Sequence, residues 1–119
     1  MAAIKGEEVN GFRNCETWKV KIWLTGEQES YERWKNEARR LWDEAACDSA
    51  VIAGRLSQEE KTELDLCSRL EGALREAATE VKEAMFADLL LGVLGSVAWH
   101  EVAEHFLADL PEFNSKKQR

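Results

Sequence analysis

One proline and seven glycines in 119 residues leave little material for tight turns. That scarcity argues against a sandwich or barrel of many short strands. The three cysteines, Cys15, Cys47 and Cys67, are odd in number and have no CxxC spacing. Neither a disulfide framework nor a metal site can be read from them, and reduced, buried or half-buried thiols are expected. Long apolar runs are missing too. The longest, Ala84 to Trp99, is interrupted by Asp88 and is too short to span a bilayer, so no membrane contact is expected. The first residues show no basic stretch leading into an apolar one, so no signal peptide is expected. There is no Gly-rich phosphate loop, no nucleophile paired with a base, and no metal-ligand set. These gaps leave a small hydrolase as the weakest functional class, with no cofactor, metal or catalytic residue to name.

What is present favours helix. Alanine, glutamate, leucine, lysine and arginine dominate, and all are good helix formers. Apolar residues make up 45% and charged residues 33%, as in an ordinary solvated globular domain. The length suits one domain, residues 1–119, with 1–13 and 112–119 as loose termini. The net charge of −7 is unevenly spread. Residues 1–42 hold 8 Lys/Arg against 7 Asp/Glu, whereas residues 43–112 hold 5 against 16, a balance of −11. An acidic body repels phosphate, so nucleic acid is disfavoured as a direct ligand, while a basic groove on a partner would be attracted.

Periodicity predicts about five helices in a single all-α bundle. Asn14 can cap a first helix, with Glu16 in its first turn. Residues 15–25 also alternate apolar and polar, which would suit a strand. Helix is preferred because no partner strand is visible to satisfy a ladder. On that helix Cys15, Trp18 and Ile22 share a face, Val20 and Leu24 lie on another, and Trp23 on a third. Thr25 and Gly26 then break the segment.

The second helix, from about Glu27 to Cys47, carries Tyr31, Trp34, Ala38, Leu41, Trp42 and Ala45 in i, i+3, i+4, i+7 rhythm. A connector runs from Asp48 to Leu56. Ser57 and Glu60 form a capping box that opens a long helix to about Glu83, with the stripe Leu64, Cys67, Leu70, Leu74, Ala77, Val81, extended by Met85. A very apolar fourth helix covers Met85 to Leu94. A fifth runs from about Val97 to Leu110, with Trp99, Val102, Ala103, Phe106 and Leu110 inward, and Pro111 closes it.

Two segments carry a resemblance. "NCETWKVKIWL", followed after a short break by "ESYERWKNEARRLWDEA", resembles a group of small proteins encoded by phages, plasmids and integrated elements. Their pattern is Asn-x-Glu-Thr-Trp, an apolar pair ending in Trp-Leu, then a Tyr-containing helix, and "VAWHEVAEHFLADL" resembles their C-terminal end. The two pieces cover about half of the chain. The resemblance implies a small helical protein of a mobile element, located in the cytoplasm of a bacterial or archaeal host. It brings no reaction and no catalytic residues with it. One departure is that Ala98 stands where a capping side chain would suit the last helix, which could instead begin at Ser96.

Candidate functional residues come from surface chemistry. His100 and His105 resemble a metalloprotease pair, but they are five residues apart, about 140° around a helix, and cannot share one ion on one face. Each instead pairs on the surface with a glutamate four residues away, His100 with Glu104 and Glu101 with His105. The acids Glu59, Glu63, Glu76, Glu80 and Glu83 could form a negative strip that imitates a phosphate track. Arg33, Lys35, Arg39 and Arg40 form a basic set beside tryptophans, and Trp23 projects from its helix as a possible interface anchor.

The expected function is that of a non-catalytic acidic binding protein. It would block a host protein or ribonucleoprotein complex, such as a CRISPR effector used in defence, by contact and occlusion, acting as a monomer or a homodimer. The alternative is a nucleic-acid-binding accessory protein that uses the basic, aromatic N-terminal helices.

Overall fold

A computed structural model of the protein describes residues 11–111. The two outer stretches of the expected loose termini, 1–10 and 112–119, lie outside the described residues. Six helices occur among the described residues: α1 (Cys15–Gly26), α2 (Gln28–Ala45), α3 (Ser49–Ile52), α4 (Gln58–Thr79), α5 (Ala84–Leu94) and α6 (Trp99–Leu107). The all-α class is as expected, and no strand element is present among those residues, so residues 15–25 are helical.

The count of about five is corrected by α3, one turn inside the connector. Asp48 caps it by accepting the Ala50 N–H. Gly54 closes it in the left-handed region at φ 82°, with the N–H of Arg55 donating to the Ala50 carbonyl and that of Gly54 to Val51. Such a stop needs a residue without a Cβ.

α4 is the centre of the bundle. It lies between α2 and α6 and packs on both, while α1 leans on α2 and α6. The core gathers where these meet: Phe106, Leu107 and Val102 of α6, Leu66 and Leu70 of α4, and Trp34 and Trp42 of α2 are all buried. The α2 stripe is as its spacing predicts, with Trp34, Ala38, Leu41, Trp42 and Ala45 buried and Tyr31 half-buried. The capping box of α4 also forms. The Ser57 N–H donates to Glu60 Oε1 at 2.9 Å, and the Glu60 N–H donates to Ser57 Oγ at 3.0 Å. The Gln58 amide fastens this end to α2 by donating to the Trp42 carbonyl.

The long helix differs from expectation in register and length. Its buried residues are Thr62, Leu66, Leu70 and Ala78, with Cys67, Ala73 and Leu74 partly covered. Leu64 and Ala77 are exposed. With α2 on one flank and α6 on the other, the covered sector centres near Leu66, and Leu64 points about 160° away from it. The helix stops at Thr79, not Glu83. The Thr79 hydroxyl donates to the Glu76 carbonyl at 2.6 Å, a local bond that competes with helix continuation.

The first helix buries a face that the periodicity does not single out. Thr17 and Leu24 are buried and Val20 is half-buried, three residues that lie on one side at i, i+3 and i+7. Cys15 and Ile22 are exposed, so the face expected to hold Cys15, Trp18 and Ile22 is not the inner one. Asn14 caps as predicted, accepting the Thr17 N–H at 2.9 Å. α6 starts at Trp99 with Ala98 in the cap position, not at Ser96 or Val97, and Trp99, Val102, Ala103, Phe106 and Leu110 are buried as expected.

Candidate functional site

The most apolar helix of the chain is also the one least covered. α5 packs chiefly on α4, and of its side chains Leu94 alone is buried. Met85, Phe86, Leu89, Leu90 and Val93 are between 42% and 63% exposed. At 100° per residue these five fall within an arc of about 140°, a single continuous face without a charged member. Asp88 stands outside that arc. Surface patches of this kind on soluble proteins mark contact sites for other macromolecules.

The face continues onto α1. Trp23 is 75% exposed, and a groove of about 410 Å³ runs between the two helices, with Trp23, Cys15 and Lys19 on one wall and Leu90, Val93 and Leu94 on the other. Trp23 was the one aromatic that the spacing set apart as an anchor, and it joins an apolar surface rather than a basic one. The sequence marks the α5 residues only as a very apolar helix and does not single them out as an exposed face. The signal that could have found them is excess. A helix with one charged residue in eleven needs neighbours on nearly every side, and a bundle this small offers few.

Two of the four cations in the basic set, Arg39 and Arg40, pair with carboxylates of their own helix. Arg40 bridges Glu37 and Glu44, both at 2.5 Å, and these two partners hold its pKa above the usual value. Arg39 approaches Asp43 at 3.5 Å, and Glu37 also receives Arg69 of α4 at 3.0 Å. Arg33 lies over the Trp34 ring and Lys35 over the Tyr31 ring, 5.0 Å and 5.1 Å from the centroids. Trp34 and Trp42 are buried, so neither offers a face for stacking a base.

The acidic set divides in two. Glu59 and Glu63 sit on the first turns of α4, where Glu63 lines a shallow cavity of about 280 Å³ with Leu64, Cys67 and His100. Glu76 and Glu80 lie at the far end of α4, on a face about 100° away, and Glu83 precedes α5. All three are exposed. Elsewhere on α4, Lys61 pairs with Asp65 and Asp48, and Arg75 with Glu71, which breaks the strip further.

The remaining polar groups are tied to structure. His100 is exposed, whereas His105 is half-buried with its ring edge-on to Phe106 at 5.8 Å. Glu101 takes the backbone N–H of Arg13 at 2.7 Å rather than His105, so that His–Glu pair does not form. Burial, and secondarily Lys21, hold the His105 pKa below its usual value, with Asp109 opposing. Among the cysteines only Cys67 is half-buried. Cys15 and Cys47 are exposed, contrary to expectation. Burial, reinforced by Glu63, Glu104 and Glu71, pushes the Cys67 thiol up to about 11. No cluster of three or more potential metal ligands occurs, and no single helix is long and apolar enough to cross a membrane, among the described residues.

No protein-family model matches the chain, and no curated protein or solved structure matches it either.

Proposed function

We propose that the protein acts by binding other protein surfaces and carries out no reaction of its own. The observation behind this reading is the exposed apolar face of α5 together with Trp23, since such a face lowers its free energy only by being covered. A second surface is the acidic end formed by the exposed Glu76, Glu80 and Glu83, which would meet a basic groove; Glu59 and Glu63 lie apart from it on the first turns of α4. In its narrower form the target is a host defence complex, such as a CRISPR effector, blocked by occlusion. The −11 balance over residues 43–112 and the resemblance to mobile-element proteins support that choice. The pairing of Arg39 and Arg40 within α2 and the burial of Trp34 and Trp42 favour it over a nucleic-acid accessory role.

The test is phage plating on a bacterial host with an active CRISPR effector. Expression of the chain should raise plating. Glu76→Lys with Glu80→Lys, or Leu89→Glu, should abolish the gain while helicity by circular dichroism stays unchanged. No rise with the unaltered chain would remove the narrower target. A rise that survives both variants would move the function off these surfaces.

A further inference from the structure

We propose that the apolar face of α5, with Trp23, closes on the same face of a second copy of this chain in an antiparallel, two-fold contact. This rests on the reading of that face as an association surface and names its occupant.

Size is the first argument. The exposed parts of Met85, Phe86, Leu89, Leu90, Val93 and Trp23 come to roughly 650 Å², above the largest patch of most monomers and near the ~800 Å² each partner gives to a standard interface.

Shape is the second. A two-fold contact requires only that a surface fit itself. A straight helical arc without charge does so, because apolar side chains carry no sign to oppose when two ridges of the same kind interleave.

The third argument is the charge at the two ends. Lys82 and Glu83 stand before the first turn of α5, and Glu16 and Lys19 flank the groove beside its last turns. Antiparallel docking brings the first end of one copy to the second end of the other. Lys82 and Glu83 of one copy then lie beside Glu16 and Lys19 of the second, and the proposed contact pairs Lys82 with Glu16 and Glu83 with Lys19 across the seam.

The net charge of −7 gives this occupant a signature of its own. Two acidic copies repel at long range, and salt screens that repulsion. Self-association should therefore strengthen as salt rises, whereas binding of a basic partner should weaken.

Sedimentation velocity over a wide dilution range, at low and high salt, reads the outcome. The expected result is a reversible species of twice 13.6 kDa, favoured by salt. Leu89→Glu should raise the dissociation constant by at least roughly tenfold, the loss typical of an anchor at the centre of an interface. Lys82→Glu, at the rim, should raise it roughly two- to fivefold, and adding Glu16→Lys should restore it.

A dimer that Leu89→Glu leaves intact, or that Lys82→Glu with Glu16→Lys fails to restore, overturns this contact. An unaltered chain that stays monomeric throughout overturns the second copy as occupant and leaves the surface to another protein, provided that dilute Leu89→Glu still folds. If dilute Leu89→Glu unfolds, the face belongs to the core, and the association reading falls as well.

Discussion

The Thr17 hydroxyl accepts the buried N–H of Ala98 at 2.9 Å across 81 positions of sequence, and donates in turn to Asn14 Oδ1 at 2.6 Å. The Asn14 amide donates to the Ser96 carbonyl at 2.9 Å. The Asn-x-Glu-Thr motif is thus a clasp that holds the start of α1 on the corner between α5 and α6. No side chain caps α6, and the buried N–H of its cap residue, Ala98, is accepted by Thr17 of α1. Two walls of the groove, Trp23 on α1 and Leu90 on α5, are positioned by this fastening.

Thr17→Val keeps the shape and removes the hydroxyl, leaving the Ala98 N–H buried without an acceptor. The cost should be about 1–3 kcal/mol, read as a fall in melting temperature of several degrees per kcal/mol in circular dichroism. Thr25→Val is the control. Its hydroxyl bonds only back to Lys21 within the same helix, so its loss should change stability by no more than ~0.5 kcal/mol. Equal effects would mean that the clasp contributes nothing special.

The register of α4 can be tested with one pair of leucines. Leu66 is fully buried and Leu64, two residues earlier, is 58% exposed. Leu66→Ala should cost about 2–5 kcal/mol in urea unfolding, and Leu64→Ala about 0.5 kcal/mol or less. The reverse order would restore the stripe that the heptad-like spacing predicts.

How much was legible in the sequence follows from how many neighbours each helix has. α2 presents a sharp apolar stripe to one core, so Trp34, Leu41 and Trp42 were placed correctly. α6 was similar, and local chemistry gave Asn14 and the Ser57–Glu60 box. The inward face of α1 was not legible, because its apolar residues surround the helix and a hydrogen bond to distant Ala98 selects the side. α4 was misplaced by part of a turn because two neighbours widen its covered sector. α5 was legible as a helix, but its exposed face was not, because composition records a need for cover and says nothing about who supplies it. Trp23 was found as a lone residue off the main face, but the surface it belongs to was not.

Alkylation should rank the thiols. A thiol ordinarily titrates near 8.5, and Cys67 is pushed up to about 11 by burial and nearby carboxylates. At pH ~8 its thiolate fraction is about a thousandth, and the thiolate is the reactive form. Iodoacetamide followed by mass spectrometry should label the exposed Cys15 and Cys47 well before Cys67. Prompt labelling of Cys67 would show that α6 does not shield that side of α4.

The last prediction concerns pH. In the fold, His105 is held below its ordinary pKa, first by burial and then by Lys21, with the carboxylate of Asp109 opposing while it accepts the Tyr31 hydroxyl at 2.8 Å. A histidine depressed in the native state binds its proton more readily when unfolded, so lowering the pH favours unfolding. Its contribution is therefore complete above about pH 6.5, the unfolded value, declines as pH falls through that point, and levels off below the native value. Urea midpoints from slightly alkaline to mildly acidic pH should fall more steeply for the unaltered chain than for His105→Gln, which keeps a polar group but cannot titrate. Lys21→Gln removes the opposing cation and should give an intermediate slope. If His105→Gln follows the unaltered chain throughout, the ring is open to water and its edge-on seat against Phe106 does not hold in solution.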